Sequence, residues 1–520
     1  MRVLVARVAE TQAQPGGTVE TKQRRISALG SFREDIRLRW PEWITIVFYA
    51  AVVAFAIPYH EPWVDEAQAW QLARSLPLAT LFQKYIRYEG SPGLWHLLLW
   101  VLNKAHVSYA GMHWICGAIA VAGVSVLILW SPFPRYLKLS LPFTYFLIFQ
   151  YAVVARNYVL VPLLLFMIAA WWKRNPVVIA LLLGLLANVA AHGAAISGGL
   201  AIVYAIERIG HGDFKEPGQR RKLIFSATIL LGFYVFALWT AWPPHDLVLA
   251  RVRGQSRSFT LFAVASLVWG VCQPWLLSIM FWIAIAICMH ARRRLSYLLP
   301  VIFFACFSAE VYAAWWHAGL VIPLVICLLW ITWPAPGRSD SWREAIGRCA
   351  MVLLAGTQIL WSAYALAYDH SHSYSPDLAA SKFLRPLVRE GDAIAVTYLD
   401  EPWIHAFQAV GILPYFDHNI YMNLPNSFWW WSANDPTEDL FLAALRTQPR
   451  IVLVEIRPHH LDQPINLKYP KVEILTKAGY RLTNVFCGAK PERFQIVETE
   501  NNCHLIFQHF GDLQGSLANP

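Results

Sequence analysis

The stretch ITIVFYAAVVAFAIPYHEPWVDEAQAW, Ile44 to Trp70, joins an apolar run to two adjacent carboxylates, Asp65 and Glu66. The first part is long enough for one helical pass through a hydrocarbon core about 30 Å thick. The second part sets like charges side by side where desolvation is costly. A chain that leaves a membrane and at once presents both acids must offset that cost with partners or with a polar cavity.

The rest of the chain extends the apolar theme. Its 520 residues are 57% hydrophobic and 15% charged, with 25 Trp, whereas soluble domains carry about 25% charge. This composition indicates a polytopic α-helical membrane protein. Apolar length places about eleven transmembrane helices, near 42–58, 111–130, 137–151, 157–172, 176–191, 195–207, 223–242, 272–290, 295–311, 318–333 and 346–367. Charge then orients them. The loops 1–41, 131–138, 173–175, 208–222, 291–294 and 334–348 hold 23 Lys and Arg, against 8 in 59–110, 152–156, 192–194, 243–271 and 312–317. Positive residues stay inside, so the N-terminus is expected in the cytoplasm and the C-terminal region outside it. The net charge of +10 then reflects topology, and no nucleic-acid partner is expected.

Three regions follow. Residues 1–41 read as a polar, disordered cytoplasmic tail. Residues 42–367 form the membrane domain. Its first external loop, 59–110, carries two amphipathic helices, LARSLPLATLFQKYIRY and GLWHLLLWVLNKAH, suited to lie at the interface. From 368 to 520, short β-type runs (DAIAVTYL, PRIVLVEI) alternate with helical spacing (DLAASKFLRPLVRE, TEDLFLAALRTQ). Alternation of this kind predicts a small extracytoplasmic α/β domain. A closing β segment carries Cys487 and Cys503, which are expected to pair in an oxidising compartment. The other six Cys lie in or beside apolar segments, where Cys acts as a small hydrophobe.

Several residues are placed to do chemistry. Glu89 precedes a Pro-Gly break that returns it toward Asp65 and Glu66. Arg156 stands at the outer mouth of a span, where Arg is expensive and often functional, although it can also snorkel to headgroups. Arg251, Arg253 and Arg257 occupy an outer loop against the charge bias, fit either for phosphate or for anionic lipid. His192 and His317 lie at outer span ends, and Glu310 falls in an apolar run, where an acid needs a partner or a cavity. Trp in SFWWWS, 427–432, suits stacking on a sugar face or, the preferred reading, a headgroup anchor. A bland reading of Asp65 and Glu66 also stands: acids in the first turn of a helix complement its dipole and cap it.

The set resembles a family. An N-terminal span, the Asp65–Glu66 pair in a long first external loop, a Pro-containing break before LWHLLLW, and ARNYVLVPLLL at 155–165 look like the GT-C membrane glycosyltransferases. The nearest branches are the protein mannosyltransferases and the lipid A aminoarabinose transferases. The resemblance covers residues 42–210 by motif and the later spans by topology. Gly90-Ser91-Pro92-Gly93 stands where the family often has His-Pro-Pro or Lys-Pro-Pro, which leaves donor and acceptor subclass open. The resemblance implies transfer of a sugar from a polyprenyl-phosphate donor to an extracytoplasmic lipid, glycan or protein acceptor at the plasma (inner) membrane. Asp65 would be general base or ligand of a divalent cation such as Mg or Mn, with Glu66 as its partner. Rival classes are a transporter or flippase of lipid-linked sugars, which calls for broken helices at mid-membrane and paired halves, and a surface-polysaccharide polymerase or ligase, which does not call for this acidic pair.

Overall fold

The computed structural model describes residues 39–248, 259–272, 274–311, 315–334, 341–388, 394–399, 407–429, 431–432, 434, 437–458, 467–491 and 499–510. Most of the N-terminal tail and all of Arg251, Arg253 and Arg257 lie outside them. Only helices of eight residues or more are numbered below.

The first helix, α1 (Trp40–Ala56), leads through a short turn to α2 (Val64–Ser75) and α3 (Leu94–Lys104). Then come α4 (Tyr109–Trp130), α5 (Leu160–Trp171), α6 (Pro176–Ala187), α7 (Ala191–Gly210) and α8 (Pro217–Ala241). The bundle closes with α9 (Phe259–Val268), α10 (Trp275–Ala291), α11 (Leu299–Glu310), α12 (Val321–Ile331) and α13 (Trp342–Ser371). Among the described residues, α4, α8 and α13 are each long and apolar enough to cross a membrane, and six further apolar helices of 10–17 residues accompany them. The largest buried cluster runs through the bundle interior, with α12 buried along its whole length.

Two segments depart from the sequence reading. The span expected at 137–151 is broken into a short helix, Arg135–Ser140, a 3₁₀ turn, Leu141–Phe143, and a π-helical turn, Phe146–Gln150. Pro142 cannot donate a backbone bond, and the Thr144 hydroxyl takes the Leu141 carbonyl at 2.8 Å. A broken helix was not expected here. The loop 243–271 contains α9 (Phe259–Val268), which no span assignment foresaw.

The C-terminal part adds α14 (Asp377–Leu384), α15 (Thr437–Leu445), α16 (Pro470–Lys477) and a four-stranded sheet. Its strands are β1 (Ala395–Tyr398), β2 (Ile451–Ile456), β3 (Tyr480–Pro491) and β4 (Thr499–His509), in the order β1-β2-β4-β3. The β1–β2 pair is parallel and its crossover contains α15, whereas β4 is antiparallel to both β2 and β3. All four β1 residues and all six β2 residues are buried, which explains their continuous apolar runs. Cys487 and Cys503 face each other across β3 and β4 and form a disulfide.

Candidate active site

The site grows from the start of α2. Trp63 is extended (φ −102°, ψ 174°) and the helix begins at Val64. Glu66 folds back, and its Oε2 accepts the Trp63 N–H at 3.0 Å. This is one half of a capping box, so the bland reading describes what Glu66 does locally. Successive helical residues point about 100° apart, so Asp65 and Glu66 look into different surroundings.

Asp65 faces an opening. Its Oδ2 accepts from Arg156 Nη1, and the two side chains remain 23% and 19% exposed. Arg156 sits just before the 3₁₀ turn that starts α5, with its guanidinium 5.6 Å from the rings of both Trp63 and Tyr158. Burial alone would lower the Arg156 pKa, but the charge and hydrogen bond of Asp65 outweigh it and raise the value further.

Glu89 ends the short helix Ile86–Glu89, and Gly90 terminates that helix in the left-handed region (φ 62°), where a side chain is strained. The Gln68 amide donates to Glu89 Oε1 at 2.9 Å. Although the residue is only half-buried, desolvation pushes its carboxyl up to about 7; the charge of Asp65 adds to this, and Gln68 and Arg156 oppose it.

His96 on α3 was not among the residues the sequence singled out. Its ring is 4% exposed, and neither nitrogen has a partner. Burial, helped by the Arg156 charge, pushes its pKa down to about 4, so it is a neutral imidazole with one donor and one acceptor unused. His317 packs edge-on to Tyr158 at 5.4 Å and stacks on His192 at 4.4 Å. The fold therefore brings Asp65, Glu89, Arg156, His192 and His317 to one end of the bundle. Glu310 is not in a buried apolar stretch as expected: α11 stops at it and its side chain is exposed.

Glu66 is fully buried and belongs to a different set. His60 Nε2 lies 3.4 Å from Glu66 Oε2, and its Nδ1 lies 3.1 Å from Asp369 Oδ1 on α13. A ring with a carboxylate at each nitrogen carries both protons. Burial opposes that charge, but Asp369 and Glu66 together raise the His60 pKa to about 10. His113 Nε2 of α4 reaches Glu66 Oε1 at 3.1 Å, and the Ala155 N–H donates to the same oxygen at 2.6 Å. Burial would raise the Glu66 pKa, yet the His60 charge and the bonds from both histidines hold it below the usual carboxylate range.

The C-terminal part closes over this end. Tyr374 packs on His60 at 4.7 Å, and Asp377 accepts from His504 of β4 at 2.7 Å. Lys490 of β3 places its ammonium 3.4 Å from the Trp63 ring centroid. The Gln68 amide pairs with the Trp429 backbone in both directions at 2.8 Å. Trp429 is thus buried against protein, with Phe407 and Trp431 around it; it is not the headgroup anchor the WWW run suggested.

Among the described residues no three His, Cys, Asp or Glu side chains group so as to hold a metal ion, and Arg156 already answers Asp65.

No family model matches the chain, and no curated protein matches it. A solved structure does: ArnT from Cupriavidus metallidurans bound to undecaprenyl phosphate, with TM-score 0.55 and 10% sequence identity over 92% of this chain and 98% of that one. That likeness runs through the helical bundle and the C-terminal sheet alike, and the chain has the fold of ArnT.

Proposed function

We propose that this chain is an integral-membrane glycosyltransferase that moves a sugar from a polyprenyl-phosphate donor to a hydroxyl-bearing acceptor on the extracytoplasmic side. The observation that carries the reading is the Asp65–Arg156 pair, an acid and a cation held together at an accessible end of the bundle. The ArnT fold, solved with undecaprenyl phosphate, supports the donor class.

The donor phosphate can compete with Asp65 for Arg156, because a guanidinium binds phosphate oxygens in pairs. When it binds, it replaces Asp65 on Arg156 and leaves the Asp65 carboxylate free to take a proton. The acceptor oxygen then attacks the anomeric carbon, its proton passes to Asp65, and the bond from that carbon to the phosphate oxygen breaks. Arg156 stabilises the charge that the phosphate gains on leaving. Lys490, Glu89 and the unpartnered His96 surround this position and suit contacts to phosphate and sugar hydroxyls. Glu66 takes no proton in this scheme; it fixes α2 so that Asp65 points at Arg156. The excess of Lys and Arg in the opposite loops supports an orientation with this end outside the cytoplasm.

The test is incubation of the purified protein with polyprenyl-phosphate-linked sugars and envelope lipid or glycan acceptors, followed by mass analysis. Sugar-bearing acceptor and free polyprenyl phosphate should appear in equal amounts. Intact donor after incubation with every acceptor class contradicts the reading.

A further inference from the structure

The opposite end of the bundle holds a second polar site. The helix α5 starts beside Arg156 and ends beside Lys173, about 20 Å away at 1.5 Å per residue. There a cavity of about 530 Å³ opens between the ends of α5, α7, α10, α12 and α13. Its size is that of a small-molecule pocket.

The charges of the lining do not cancel. Lys173, Arg292, Arg294 and Arg343 line it, against Glu207 and Glu344. Both acids are already engaged. Glu344 accepts from Arg292 at 2.6, 3.0 and 3.1 Å. Glu207 accepts from the Tyr297 hydroxyl and the Trp172 indole, each at 2.6 Å. Among the described residues, neither Lys173 nor Arg343 forms an ion pair, while both border the cavity. The positive end of the α13 dipole also lies here, since Ser341 caps that helix and lines the same space, and it favours an anion.

From this we infer a phosphate-binding site at the end of the bundle opposite Asp65, which takes a phosphate-bearing group, either an anionic phospholipid headgroup or a free phosphorylated compound. Lys173 and Arg343, both exposed, are the cations left to bind it, Arg343 lying 5.3 Å from the Trp342 ring centroid, and the Arg292–Glu344 pair lines it beside them. The inference does not rest on the proposed transferase chemistry.

The test uses the full-length protein and the double variant Lys173→Gln/Arg343→Gln. Among the described residues neither side chain forms an ion pair, so the variant should melt like the parent without ligand, and a variant that does not is replaced by Lys173→Met alone. Native mass spectrometry would count phosphatidylglycerol and phosphatidylcholine adducts on each protein, and thermal shift with pyrophosphate would be read alongside. Loss of phosphatidylglycerol adducts by about tenfold or more in the variant, with phosphatidylcholine unchanged, identifies a lipid headgroup. A pyrophosphate-induced rise in melting temperature present in the parent and absent from the variant identifies a free phosphate compound. Equal behaviour of parent and variant with both probes overturns the assignment.

Discussion

Asp65 and Glu66 are neighbours in sequence and belong to different regions of the molecule. Asp65 meets one arginine at a partly open surface, at 23% exposure; Glu66 meets two histidines and two backbone N–H groups in the buried interior, at 0%. The first arrangement leaves a carboxylate that a substrate can reach and a cation that a phosphate can claim. The second has no room for a substrate and ties α2, α4, α13 and the turn after α1 into one frame. The two readings of an acidic pair at a helix start, as cap and as chemistry, are therefore divided between its members. A motif read as a unit need not act as one.

The largest effect expected from breaking this division lies on the buried side. Glu66→Gln leaves the His60 imidazolium short of one partner, and losing one member of a buried ionic set costs about 3–5 kcal/mol. Melting of the detergent-solubilised variant should fall sharply, while turnover per folded molecule should fall far less than in an Asp65 variant. Unchanged melting with lost turnover would move Glu66 into the chemistry.

On the open side, Arg156→Gln removes the group proposed to hold the leaving phosphate. Transfer should fall by about 10²–10³-fold, the scale for loss of one oxyanion donor, and KM for the polyprenyl donor should rise. A loss confined to acceptor KM would place Arg156 on the wrong substrate.

An effect spread over several pH units, and so small at any one step, should appear as a pH dependence. The folded state raises the His60 pKa from 6.5 to about 10. The stability this contributes is complete below about pH 6.5 and is lost as pH rises toward about 10, at no more than about 1.4 kcal/mol per pH unit. Melting temperature measured across that window should decline in the parent, and His60→Gln should start lower and decline less. Parallel curves would remove His60 from the network.

Much of this was legible in the sequence. Apolar length located most helices, and short β-type runs alternating with helical spacing pointed to the C-terminal sheet. The position of Arg156 at a span mouth pointed to Asp65, because few cations sit at that end. The partners of Glu66 were not legible. Asp369 lies 309 positions from His60, and a single His in an apolar run carries no signal of what it will face. His96 was inside a quoted amphipathic helix, yet only packing shows that both its nitrogens are orphaned. Trp429 misled for a related reason: a Trp run has the same composition whether it meets lipid or, as here, the amide of Gln68. The break in 135–150 had a visible cause in Pro142, which apolar length alone outweighed.

The division between the two acids is tested most directly by Asp65→Asn, which keeps shape and removes charge. Sugar transfer from a polyprenyl-phosphate donor, counted per folded molecule, should fall by at least about 10²-fold, as for a lost general base. Melting measured in parallel should move by no more than about 1 kcal/mol, the scale of a solvent-accessible ion pair. Full turnover in Asp65→Asn would contradict the account and return the whole pair to the role of a helix cap.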